Sequence, residues 1–176
     1  MPSDSSIERL CYTTWVTISI QHALRHLDWA EQKFFALLEA MPEQHLASHY
    51  GNPEWTVAII AQHIVSGACW YEFCLTGVFP EESAVPTTSA EVALLRTCVA
   101  DRNAVLHAQA ELDDELLFVS HEGDEFTVWR SILLSQAVHH SVEHRAQIAC
   151  ALEANGYRGI DLDSLDAWAY ASATGF

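Results

Sequence analysis

Basic side chains are scarce in this chain: eight Lys and Arg stand against twenty-four Asp and Glu, a formal charge of -16 with histidine neutral. A surface this negative repels phosphate backbones and anionic lipid heads, which argues against nucleic-acid binding and electrostatic membrane docking. Seven glycines and five prolines in 176 residues exclude collagen-like and low-complexity linker chains. Disulfide scaffolding is missing too. Cys11, Cys69, Cys74, Cys98 and Cys150 make an odd set with no CxxC pair. Most of them lie in apolar helical patterns, where a thiol acts as a small hydrophobe, and a reducing cytoplasm suits them. No apolar run approaches the roughly 18 residues of a membrane span. Met1–Ser6 has neither the basic region nor the apolar core expected of a secretory signal.

Apolar residues are plentiful. They make up 50% of the chain, while charged residues make up 18%, below the roughly 25% of an ordinary globular protein. Disorder is thereby excluded. A chain of this length buries roughly 70% of its unfolded surface, so it needs neither disulfide nor metal merely to fold. One domain over residues 1–176 is expected, with no internal repeat and no linker.

Four long stretches carry apolar residues at helical spacing. The first runs from about Thr14 to Met41, with Ile20, Leu24, Leu27, Phe34, Leu38 and Met41 in one seam. Glu31 is the polar exception in that seam, placed either as a partner or proton acceptor near a metal or, the favoured reading, at a partly exposed seam edge; Pro42 stops the helix. The second opens at Asn52-Pro53 or at Thr56, two competing caps, and ends at Gly77. Its seam is Ile60, His63, Gly67, Trp70 and Cys74. The third opens on the capping box Thr88-Ser89-Ala90-Glu91 and reaches about Ala110. The fourth runs from about Trp129 to Ala154, with Leu133, Ala137, His140, His144, Gln147 and Ala151 aligned and Asn155-Gly156 as its stop. Between the third and fourth, Leu116–Ser120 and Phe126–Trp129 are β-rich and flank Glu122-Gly123-Asp124, which predicts a hairpin lying on the helices. The tail from Gly156, with Trp168 and Tyr170, is expected to pack as a cap. The predicted fold is all-α: a four-helix bundle with a short hairpin insertion between helices 3 and 4.

The chemistry-bearing residues are histidines. His140 and His144 are four apart, so their side chains rise from one helix face with β-carbons about 5–6 Å apart. Two such imidazoles can point at one metal at about 2.0–2.1 Å. His63 lies mid-seam on the second helix near the same depth. Three neutral nitrogens from two helices would hold one divalent ion and leave positions open for water or substrate. The same spacing also suits core histidines hydrogen-bonded to one another without a metal. Ser141 follows His140, so this is no HExxH motif, and Glu143 points about 100° off the ligand face. Arg145 also lies off that face, placed to bind an anionic group, pair with a carboxylate or meet a partner subunit. Trp55, Trp70 and Tyr71 suit either a pocket mouth or the core. His22, His26, His45, His49, His107, His121 and His139 follow no ligand spacing.

Four segments together resemble the DinB-like superfamily, which includes bacillithiol transferases and mycothiol-dependent enzymes. They are His26-Leu-Asp-Trp29-Ala30, Trp55-Thr-Val-Ala-Ile-Ile-Ala-Gln-His63-Ile64, His140-Ser-Val-Glu-His144-Arg-Ala-Gln147-Ile148, and Ala154-Asn-Gly156 with the run from Asp161 to Tyr170. Ala146 departs from the glycine that many members carry. The resemblance spans nearly the whole chain. It implies an up-down-down-up bundle, commonly a homodimer, and a metal triad that falls here on His63, His140 and His144. Apolar residues beyond one seam per helix, among them Tyr12, Trp15 and Phe35, suit a dimer interface.

Two functions follow as expectations. The first is a metal-dependent enzyme, by resemblance a transferase joining a low-molecular-weight thiol to a small-molecule electrophile, or a related hydrolase. The second is a non-catalytic metal-binding or stress-response bundle, which the lack of an evident acid or base beside the triad favours. Three imidazoles accept zinc, nickel or iron alike.

Overall fold

The computed structural model describes residues 19–175. Over these residues the chain is mostly helical with one small two-stranded sheet. The long helices are α1 (Ile20–Ala40), α2 (Val57–Thr76), α3 (Ser89–Gln109) and α4 (Arg130–Ala154). The hairpin strands β1 (Leu116–His121) and β2 (Asp124–Trp129) lie between α3 and α4, and a short α5 (Ala167–Thr174) follows a 3-10 turn, Leu162–Leu165. The part of the first predicted helix before residue 19 falls outside the described residues, as do Tyr12 and Trp15.

Local signals account for the boundaries. Thr56 begins α2, its Oγ1 accepting the Ile59 N–H at 3.3 Å, which decides between the two competing caps. Gly77 ends α2 with φ 75, a left-handed conformation that costs glycine little. At α3 the capping box forms: Thr88 Oγ1 accepts the Glu91 N–H, and the Glu91 carboxylate accepts the Thr88 N–H. The hairpin pairs Leu116 with Trp129 through His121 with Asp124. Its two-residue turn, Glu122-Gly123, has φ 51 and 93, the positive pair that a twisted hairpin turn requires. His121 at the hairpin end stacks on Phe79, ring centroids 5.3 Å apart, and meets Trp70 at 5.5 Å, pinning the insertion to α2.

The helices pack in a ring: α1 against α3 and α4, and α2 against α3 and α4. Two apolar clusters fill it. One holds Ala30, Phe34, Phe35, Leu38, Ile60, Ile64, Val99, Ile148 and Ala151 among its members. The other holds Leu24, Leu27, Tyr71, Cys74, Leu106, Leu133, Leu134 and Ala137. Each large side chain fully buried there contributes about 1.5–3 kcal/mol. Phe35 is fully buried in the first cluster, so it is core and not the interface residue its surplus apolarity suggested. The tail divides: Tyr170 packs against His26 and Trp29 at 5.7 and 5.5 Å, but Trp168 stays 83% exposed among the described residues.

Between the two clusters lies a polar layer. On α4 the apolar run breaks between Ala137 and Ile148, and His140, Ser141, His144, Arg145 and Gln147 occupy the gap. Glu31 on α1 and Asn103 on α3 are buried at the same junction. A buried polar layer is costly unless its members satisfy one another.

Candidate metal centre

α2 and α4 pack directly, and their contact brings His63 to His140 and His144. One ring nitrogen from each of the three lies within 4.8 Å of the others. Ring centroids are 5.0 Å apart for His63 and His140, 4.6 Å for His63 and His144, and 4.3 Å for His140 and His144. His63 Nε2 and His140 Nε2 are 3.3 Å apart. Two nitrogens held about 2.0–2.1 Å from one ion at a tetrahedral angle have nearly this separation. His144 is buried, while His63 and His140 are half-buried.

The ring close to His140 is a cleared space. A Cβ at Gly67 would stand 2.8 Å from His140 Nδ1, 3.0 Å from Nε2 and nearer still to Cε1. Gly67 is therefore the notch in α2 that admits the imidazole, and Tyr71 one turn on meets the same ring edge-on at 5.8 Å.

Gln147 orients the cluster from behind. Its Oε1 accepts the Trp55 indole N–H at 3.0 Å, and an indole can only donate, so the oxygen faces this way. His144 Nδ1 lies 3.0 Å from that same oxygen and must therefore carry the proton. The Nε2 lone pair of His144 is left for the centre of the cluster. Trp55 also contacts the rings of His63 and His144, at 5.2 and 6.0 Å. An amide oxygen that fixes the tautomer of a ligating imidazole is how metal sites raise ligand basicity. The fourth-helix segment contained Gln147, but its role depends on Trp55, 92 positions away. Replacing Gln147 by Leu removes the acceptor for both donors. Metal affinity should fall about 10–100-fold, the usual effect of losing such a partner. Competition with a chromophoric chelator checks this, and unchanged affinity would remove Gln147 from the site.

His63 and His140 suit the neutral state that ligation needs. Burial, then His144 and His63, push His140 down to about 4. Burial first, and His144 second, lower His63 from its ordinary value near 6.5. The metal-free protein should respond to acid accordingly. Between pH 6.5 and about 4 the unfolded chain binds protons at these positions and the folded chain resists them. Their contribution to stability is full above pH 6.5 and is lost as pH falls towards 4. Glu31, raised above 4.5 by burial, acts in the opposite sense: its contribution is greatest below pH 4.5 and declines as pH rises through its folded value. Urea unfolding of metal-free protein across this range should show the acid loss, and His140→Ala should lessen it. Equal slopes in the two proteins would contradict the assignment.

Glu31 is not a seam edge. It is 3% exposed and accepts the Asn103 Nδ2–H at 2.6 Å, because α1 and α3 pack face to face at this level. Arg145 is buried too; its charge acts on this carboxylate without a hydrogen bond to it, and its Nη1 has no hydrogen-bond partner among the described residues. Glu143 and His139 are exposed. Trp70 belongs to the aromatic packing beneath the hairpin and Tyr71 to the core. Of the other histidines, none joins the cluster among the described residues; His26 Nε2 bonds the Leu165 carbonyl at 2.8 Å. A cleft of about 520 Å³ opens on the outer side of α4, lined by Tyr50, Trp55, Ile60, Ala146, Gln147 and Cys150 among others. It shares Trp55 and Gln147 with the cluster, although none of the three histidines lines it.

A helical chain with three imidazoles converging between two of its helices is of the class of helical proteins that can hold a metal. The chain belongs to the DinB family, whose family model matches residues 13–172. No curated protein and no solved structure matches it. No helix among the described residues is long and apolar enough to cross a membrane.

Proposed function

We infer that this protein binds one divalent metal ion through His63, His140 and His144 and uses it on a small-molecule substrate. The observation that carries the reading is the convergence of three ring nitrogens within 4.8 Å, two of them from imidazoles that burial keeps neutral. The donor set fits: nitrogens alone suit zinc, nickel or iron, and Gln147 holds His144 in the tautomer that leaves Nε2 available. An ion held there supplies Lewis acidity and lowers the pKa of a thiol or water beside it. The chain's own residues do the rest. His63, His140 and His144 bind, Gln147 and Trp55 orient, and the two apolar clusters keep bulk water from the buried side.

The reaction class that suits this set is transfer of a low-molecular-weight thiol to an electrophile, or a related hydrolysis. The cleft beside Trp55 and Gln147 is of a size for such a substrate. A non-catalytic metal-binding bundle is the second reading, favoured by the absence of an acid or base touching the cluster among the described residues. The ring of helix contacts supports a four-helix bundle as the frame. A homodimer and a cytoplasmic setting complete the proposal; sedimentation at tens of micromolar tests the dimer. The deciding experiment is elemental analysis of protein purified without a histidine tag, followed by a turnover screen of metal-loaded protein with thiols and electrophiles. One ion per chain with thiol consumption supports the enzyme, and one ion without turnover supports the second reading. No bound ion overturns both.

A further inference from the structure

His140 Nε2 faces His63, and its other ring nitrogen, Nδ1, has no hydrogen-bond partner among the described residues. Ligation through Nε2 places the ring's one proton on Nδ1, and that N–H, in a half-buried ring, requires an acceptor. The structure offers a place for one. A cavity of about 10 Å³, enough for a single water, lies between the four long helices and is lined by His140, Ser141, Glu31, Asn103, Tyr71 and apolar side chains. Ser141 is 2% exposed, and its hydroxyl lies close to the Glu31 carboxyl without completing a well-aligned hydrogen bond. Glu31 is 3% exposed, and its Asn103 bond engages only Oε2.

We propose that one buried water fills this cavity, accepts the His140 Nδ1–H and the Ser141 hydroxyl, and donates to Glu31, so that Glu31 is a positioning residue for His140. Three hydrogen bonds are what a buried water typically makes. Burial raises the Glu31 carboxyl, and in either protonation state one of its oxygens remains an acceptor. The chain thereby places an oxygen behind His140 as it does behind His144, with a water and a carboxylate from α1 in place of the Gln147 amide. The polar layer then acts as one unit. Asn103 holds Glu31, Glu31 and Ser141 hold the water, and the water holds the ring. The inference rests on His140 ligating through Nε2, as in the proposed function, but the tautomer can be read without any metal.

The test uses metal-free, full-length protein with ¹⁵N-labelled histidine, in which ring-nitrogen shifts distinguish the two neutral tautomers, and then zinc affinity by chelator competition. Wild type should show His140 as the Nδ1–H form. Ser141→Ala removes one water partner without burying an unpaired charge, so it should fold. It should shift His140 towards a mixture and weaken zinc binding about tenfold, the low end for lost outer partners. Glu31→Leu should do both more strongly. Glu31→Gln keeps an acceptor oxygen and should restore the wild-type tautomer and come within about threefold of wild-type affinity. A merely structural role for Glu31 would lower the unfolding midpoint and leave the tautomer alone. Folded Ser141→Ala and Glu31→Leu with an unchanged Nδ1–H signal would overturn the inference, as would Nε2–H in wild type. If the tautomer responds as expected but wild type binds no zinc, nickel or iron, the positioning role stands and the metal reading fails.

Discussion

His140→Ala should abolish tight metal binding while leaving the helices folded. The variant loses one of three nitrogens and keeps only His144 on α4 with His63 across the interface. Loss of a partner behind a ligand costs about 10–100-fold, so loss of the ligand itself should exceed about 100-fold. Alanine is the best helix former and leaves both apolar clusters and the α4 boundaries intact. The thermal response separates wild type from variant. A metal present at a hundredfold excess over its dissociation constant stabilises the folded state by about 2.7 kcal/mol, which for a chain of this size is about 5–10 °C in the midpoint. Chelator should remove that increment from wild type and change the variant little. His139→Ala, one residue away and exposed, is the control and should behave as wild type. Equal responses to chelator in wild type and His140→Ala would show that the triad holds no ion.

The second large effect concerns a residue without a side chain. In the middle of a helix, Gly→Ala ordinarily stabilises by roughly 0.5–1 kcal/mol. Gly67→Ala should do the opposite. The added methyl would stand well inside contact distance of the His140 ring, with Nδ1 at 2.8 Å and Nε2 at 3.0 Å. That ring has little room to yield, since His63, His144 and Tyr71 surround it. Overpacking of this kind costs about 1–3 kcal/mol and outweighs the gain in helix propensity. Gly67→Ala should therefore lower the thermal midpoint by several degrees and weaken metal binding by displacing a ligand. The double variant Gly67→Ala/His140→Ala should recover the stability, because the methyl then enters the space the imidazole leaves; the two changes should be strongly non-additive. A Gly67→Ala protein more stable than wild type with undiminished affinity would mean that His140 does not occupy the notch.

These two substitutions differ in what made them visible. His140 and His144 were legible as a pair because four residues on a helix make a little over one turn, and the α4 pattern was regular on both sides. The capping box at Thr88, the stop at Gly77 and the hairpin around Glu122-Gly123-Asp124 were legible for the same reason: each depends on residues within a few positions. The seam of α1 was read correctly too, except at Glu31, where a carboxylate inside an apolar stripe suggested an edge. Gly67 stood in the α2 seam with nothing to show what it faced. The distance from Gly67 to His140, from Trp55 to Gln147 and from Glu31 to Asn103 spans more than seventy positions in each case.

What the sequence determined by itself was periodic and local: four helical stretches, the Thr88 capping box and the Gly77 stop, the hairpin between the third and fourth, and two imidazoles on one face. With the family resemblance it also pointed to His63 as the third member. The tertiary structure decided everything that depends on register between helices. It set which face of α1 meets α3, so that Glu31 is buried against Asn103 and not exposed. It set the depth at which α2 crosses α4, so that a glycine and not a side chain lies opposite His140. It placed an amide oxygen behind one imidazole and a water-sized cavity behind another. The physical reason is that helical period constrains only a residue's angle about its own axis. The sliding of one helix along another is fixed by the sum of many side-chain contacts, and no short stretch of chain contains that sum.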